Sequence, residues 1–288
     1  MTKPNVKSFF DPATNTITHI AYDVASKQAI ILDPVLDYCE ASGRTNTVAA
    51  DQVVEFFKQN QLQSKYIIET HAHADHLSSA PYLKEKLGGQ TVIGAHIDAV
   101  QKVFGGVFNA EDGFATDGSQ FDILATDGQK FTLGDIDVTA IHTPGHTPAC
   151  MSWLIGDAVF VGDTLFMPDF GTARCDFPGG SAETLYNSIQ KLFKLPDETR
   201  VFLCHDYKAP GRDDFVWETT IGEQRRHNKH VGNGTGLDSF VKMRTERDAG
   251  LAMPKLILPS VQVNMRAGEF PPAEDNGTTY LKIPVNAL

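Results

Sequence analysis

The chain has 288 residues, 41% of them hydrophobic, which is ample for a sizeable core in one or two domains. Its formal net charge of -11 argues against nucleic acid and anionic membrane as partners, because both need clustered positive charge. An anionic substrate would need a local basic patch that overcomes this general field. Met1 to Phe10 contains no apolar stretch of signal-peptide length, and no apolar run reaches membrane-spanning length, so the expectation is a soluble cytoplasmic protein. Cys39, Cys150, Cys175 and Cys204 form no Cys-x-x-Cys pair and are read as reduced thiols.

Asn5 to Phe10, Thr16 to Val24 and Gln28 to Asp33 have strand-like patterns separated by turn residues, which predicts an antiparallel meander. Val48 to Gln61 has apolar residues at helical spacing, and Lys65 to Glu69 reads as a buried strand. Thr70 to His76 follows, reading Thr-His-Ala-His-Ala-Asp-His. Three imidazoles and a carboxylate within six residues read as a metal site. His71 and His73 are two apart, and in extended chain such residues point the same way. A helix is expected over Leu77 to Leu87, a strand over Gln90 to Gly94 and a helix over Ile97 to Phe104. The Gly- and Asp-rich segment 105–127 is read as a flap over the site or a surface loop.

From Lys130 to Val161 the period is that of strands: Lys130 to Leu133, Ile136 to Ile141, Met151 to Ile155 and Ala158 to Val161. Their ends carry His142-Thr-Pro-Gly-His146 and Gly162-Asp163, and the short strand Val201 to Leu203 ends at Cys204-His205-Asp206-Tyr207. His142 is read as a satisfied structural histidine. Separate strands that all end in potential ligands point to one edge of a layered α/β fold. The inventory supports two adjacent metal positions, one using His71, His73 and His146, the other Asp75, His76 and His205, with Asp163 able to bridge.

His-x-His-x-Asp-His at 71–76, Thr-Pro-Gly-His at 143–146, Gly-Asp-Thr-Leu-Phe at 162–166 and His205 resemble the metallo-β-lactamase superfamily in order and spacing. That resemblance implies an αββα sandwich of two mixed sheets flanked by helices. Gly171-Thr-Ala-Arg-Cys-Asp-Phe177, Cys204-His-Asp-Tyr207 and Thr220-Ile-Gly-Glu-Gln-Arg-Arg-His-Asn228 narrow it to the persulfide (sulfur) dioxygenases, close to their bacterial β-lactamase-hydrolase-like branch. The family's members oxidise glutathione persulfide with O2 to sulfite and glutathione, using one Fe(II) per chain. Carried onto this sequence, the iron ligands fall on His71, His146 and Asp163, a two-histidine, one-carboxylate set. His73, Asp75, His76 and His205 would then orient ligands and bound water, or complete a two-zinc centre.

Glutathione carries carboxylates, so Arg174, Arg225, Arg226 and Lys229 are the expected substrate-binding cations, with Tyr207 beside them. Asp176 is expected to hold Arg174, and Cys175 to be a bystander or an oxidation-sensitive thiol. The catalytic domain is expected over residues 1–236. Residues 237–288 are expected to form a helix and a proline-dotted tail, packed on the same domain or making a homodimer contact. The rival reading is a two-zinc glyoxalase II-like hydroxyacylglutathione thioesterase. Against it stand the Arg-Cys-Asp-Phe stretch and the lack of a helical substrate domain.

Overall fold

The computed structural model describes residues 3–287. The chain starts with the antiparallel meander β1 (Asn5–Asp11), β2 (Thr16–Tyr22) and β3 (Gln28–Leu32). A small hairpin follows, β4 (Val35–Cys39) and β5 (Arg44–Asn46), and then helix α1 (Val48–Asn60) and strand β6 (Gln63–Ile68). Strand β7 (Leu77–Ser78), helix α2 (Ala80–Leu87), strand β8 (Gln90–Gly94), helix α3 (Ile97–Val107) and strand β9 (Ile123–Ala125) complete the first half. The second half contains β10 (Lys130–Leu133), β11 (Ile136–His142), β12 (Met151–Ile155), β13 (Ala158–Phe160), α4 (Ala182–Leu192), β14 (Arg200–Phe202) and β15 (Glu218–Thr220). Helices α5 (Ile221–His227), α6 (Leu237–Asp248) and α7 (Ile257–Asn264) close it.

Two mixed sheets result. One has the order β1-β2-β3-β6-β8-β9 and the other β10-β11-β12-β13-β14-β15. The pattern of β3 shows why they stack. Ile30 and Leu32 join Trp153, Phe160 and Phe202 of the second sheet in a central cluster, whereas Ala29 and Ile31, on the opposite face, pack on Val53, Val54 and Phe57 of α1. A strand covered on both faces has no polar side, hence the unbroken Ala-Ile-Ile-Leu run. On the far side, Val159, Val201 and Leu203 pack against Leu185 and Ile189 of α4 and Phe240 of α6. The layers are helix, sheet, sheet, helix, the αββα arrangement.

Three segments differ from the sequence expectation. The helix expected from Leu77 starts at Ala80, because Leu77 and Ser78 pair with Leu36 and Val35 of β4, and Pro81 sits in the helix's first turn. The 105–127 segment is not a flap. Helix α3 runs on to Val107, Phe108 and Phe121 are buried beside it, and β9 extends the first sheet. Within the proline-dotted tail lies α7, with Pro259 in its first turn, where the missing N–H costs no hydrogen bond. Val261, Val263 and Asn264 of α7 are buried.

Candidate metal centre

Strands β3 and β6 are parallel, so their C-terminal ends bring Asp33 and the Glu69–His76 segment to one edge of the first sheet. In the second sheet β11, β13 and β14 run in one direction, and their ends deliver the 143–147 turn, Asp163 and His205. Backbone bonds join the two edges: Ile17 N donates to Cys204 O (2.7 Å) and Met151 N to Thr70 O (2.9 Å). Two glycines make the turns possible. Gly145 has φ 139°, and a Cβ there would lie 2.4 Å from the Leu185 backbone; Gly162 has φ 50°, and its Cβ would lie 2.5 Å from Thr70 Oγ1.

Side-chain donors gather in two principal groups, linked by the overlapping sets of Asp163, Cys204 and His205 and of Asp33, His73 and Cys204, with the candidate ligand atoms of each group lying within 4.8 Å of one another. One consists of His71, His146 and Asp163, and the other of His73, Asp75, His76 and His205. The expected pairing of His71 with His73 through strand alternation does not hold, because β6 ends at Ile68 and residues 69–76 are not extended strand. His71 Nε2, His73 Nδ1, His76 Nε2, His205 Nε2 and Asp163 Oδ1 are buried and make no hydrogen bond within the protein. His205 Nε2 has Asp75 Oδ2 at 3.1 Å and Asp163 Oδ1 at 3.3 Å, but the other buried nitrogens face no acceptor, and unpaired polar atoms at this density are unstable unless they face a cation, so the residues present fit a metal.

The opposite side of each ring is anchored. His146 Nδ1 pairs with Arg174 O (2.8 Å), and His71 Nδ1 with Thr70 Oγ1 (3.1 Å). Thr16 Oγ1 lies 3.3 Å from both His76 Nδ1 and His205 Nδ1. His73 Nε2 donates to Asp33 Oδ1 (2.9 Å), with Glu69 Oε2 at 3.3 Å. Burial disfavours the His73 imidazolium, but these two carboxylates outweigh it and raise its pKa well above the usual value. His71 goes the other way, driven down by burial and by the neighbouring rings. The sequence reading missed Asp33, Glu69 and Thr16. Their only signal was position at strand ends.

A cavity of about 740 Å³ opens onto this edge, with His146, Asp163 and Asp75 on its wall. That volume suits an organic ligand of drug or tripeptide size. Phe166, Phe170, Phe177 and Tyr207 line it, and the Tyr207 hydroxyl lies 3.5 Å from Asp75 Oδ2. None of segment 105–127 does.

The expected substrate cations separate. Arg174 lines the cavity, but its guanidinium is clamped by Asp176 (2.6 Å) and Ala252 O (2.7 Å). Arg225 and Arg226 lie outside the lining and pair with Asp197 and, for Arg226, Glu223. Lys229 Nζ stands 5.4 Å over the Phe170 ring. His142 is structural, its Nε2 bonded to Pro148 O (2.9 Å). Cys175 is buried, which pushes its thiol pKa up, and all four cysteines are unpaired.

The sequence profile of the Metallo-beta-lactamase superfamily matches residues 27–205. The chain belongs to this superfamily. Glyoxylase B2 of Dictyostelium discoideum is 52% identical to it over 99% of this chain and 98% of the relative. The Beta-lactamase hydrolase-like protein of Agrobacterium fabrum is 48% identical over 99% of this chain, which spans 65% of that longer protein. The human mitochondrial Persulfide dioxygenase ETHE1 is 28% identical over 91% of this chain and 88% of the relative. Among solved structures, ETHE1 from Myxococcus xanthus superposes with a TM-score of 0.73 at 30% identity, covering 92% of this chain and all of that one. The fold is thus the metallo-β-lactamase sandwich. Among the described residues, no helix is long and apolar enough to cross a membrane.

Proposed function

We propose that this superfamily member is a mononuclear non-haem iron(II) persulfide dioxygenase. It converts glutathione persulfide, O2 and water into glutathione, sulfite and two protons. The observation that carries this reading is that His71, His146 and Asp163 converge as one three-donor set, with His146 and Asp163 on the wall of an organic-sized cavity, although Asp163 Oδ1 also lies 3.3 Å from His205 Nε2 of the neighbouring set. Two histidines and one carboxylate on one side of an ion form the donor set of non-haem iron oxygenases, which leaves positions open for two reactants. The likeness to proteins named persulfide dioxygenase or ETHE1 supports it.

In this reading His71, His146 and Asp163 hold the ion. Bound iron(II) supplies the redox chemistry that couples O2 to the outer sulfur. The chain's own part is positioning. Arg174 O fixes the tautomer of His146 by accepting from Nδ1, which leaves Nε2 free to ligate. The aromatic wall of Phe166, Phe170 and Phe177 keeps bulk water from the reacting sulfur.

A second reading, a two-zinc thioesterase acting on acylglutathione, draws on the four-donor group and on the 52% identity to a glyoxylase. Metal analysis of protein purified without oxygen separates the two. About one iron per chain, with oxygen uptake driven by glutathione persulfide, is expected for a one-ion triad. About two zincs per chain with acylglutathione hydrolysis would overturn the dioxygenase.

A further inference from the structure

We propose that Arg247, in the last turn of α6, anchors a carboxylate of the substrate in this cavity. The proposal rests on the reading above that the cavity takes a glutathione derivative, and it names the group that selects for one.

Four cations line the cavity: Arg174, Arg244, Arg247 and Lys255. Three are already neutralised. Arg174 is held by Asp176 at 2.6 Å, Arg244 Nε by Asp248 at 2.9 Å, and Lys255 by Glu40 at 2.9 Å. Among the described residues the Arg247 guanidinium has no ion pair and no hydrogen bond, although it is exposed on the cavity wall. Lys229, over the cavity-wall ring of Phe170, likewise has no ion pair. Burial lowers the Lys229 pKa and repulsion from Arg247 lowers it further, with the Asp169 carboxylate opposing them in part. An unpaired guanidinium on the cavity wall, with Lys229 over the wall ring of Phe170, forms an anion seat in a chain with a net charge of -11.

The helix that carries Arg247 is tied to the metal donors. Arg244, three residues before Arg247 on α6, donates to Thr172 O (3.1 Å), and Asp248 accepts from Cys175 N (2.8 Å). These bonds tie α6 to the 172–175 segment, whose Arg174 carbonyl holds the His146 ring. Arg247 and His146 thus belong to one hydrogen-bonded frame. A ligand whose carboxylate is held at Arg247 has its reach toward the metal donors limited by that frame and the length of one arginine side chain, so the seat favours ligands with a suitable distance between carboxylate and sulfur. Arg174, fully occupied, acts on His146 through its backbone and not on the substrate through its side chain.

The test is calorimetric titration of reduced glutathione and of its diethyl ester, which lacks both carboxylates and keeps only the ammonium charge, into iron-loaded native protein and the Arg247→Met and Arg247→Lys variants. Arg247 is exposed, so the variants are expected to fold. A charged hydrogen bond at a partly solvated site predicts about tenfold weaker glutathione binding by Arg247→Met, partial recovery in Arg247→Lys, and no weakening for the ester. Equal dissociation constants for glutathione in native and Arg247→Met protein, or no binding by native protein, would overturn the anchor. Oxygen uptake is read separately. Its absence, with the binding difference intact, would break the dioxygenase reading and leave the anchor standing.

Discussion

The two donor groups at the sheet edge are built from the same residue types but differ in what surrounds them. His146 and Asp163 of the three-donor group stand on the cavity wall, and the Nε2 of His71 behind them is bare. The four-donor group shows only Asp75 to the cavity, while His73, His76 and His205 are fully buried. Its rings are also braced, by Thr16 on His76 and His205 and by two carboxylates on His73. A group braced behind and closed in front suits holding a shape, whereas one braced behind and open in front suits binding a reactant. The difference accounts for how one sequence motif, His71 to His76, serves both groups.

The largest expected effect tests this contrast directly. Asp163→Ala is expected to lose both iron and persulfide-dependent oxygen uptake, to background. His205→Ala is expected to keep its iron while turnover falls about 10- to 100-fold, the range for residues that orient ligands. If metal analysis finds His205→Ala as empty as Asp163→Ala, the four-donor group binds metal and the asymmetry is lost.

The same contrast marks how far the sequence could be read. Strand periodicity and the strand-end motifs identified the layered fold and the common edge of all seven donors, because both signals are local. His71 and His73 were expected on one ion because alternation applies to strands, but β6 stops at Ile68. The supports were illegible for a different reason: they come from far along the chain. Asn264, within what reads as a loop-rich tail, reaches residues 73 and 76, and Arg247 reads as one more solvated charge on a polar helix until the cavity beside it is seen.

Asn264 provides the next test, on the four-donor side. Its Nδ2 donates to His73 O (2.8 Å) and His76 O (2.7 Å), and its Oδ1 accepts from Ser78 N (2.9 Å). All three backbone groups are buried, so Asn264→Ala orphans them at a cost of about 3 kcal/mol after relaxation. Urea unfolding of the variant should show that loss, and a change within about 0.5 kcal/mol, the range of surface substitutions, would mean that the tail does not support the loop.

The smallest effect concerns the floor beneath both groups. His19 is buried, its Nε2 donating to Leu203 O (2.8 Å) and its Nδ1 paired with Ser8 Oγ (2.9 Å). Burial, opposed only in part by the Leu203 carbonyl and Asp33, lowers its pKa from 6.5 to about 4. The folded state therefore refuses a proton that the unfolded chain takes below 6.5, so this contribution to stability is full above that pH and is lost as pH falls toward 4. Between pH 7 and pH 5.5 the loss is about 1 kcal/mol. Comparing unfolding midpoints of native and His19→Gln protein at those two pH values isolates it: the variant should show the smaller fall, and equal falls would place the acid sensitivity in the metal-site histidines instead.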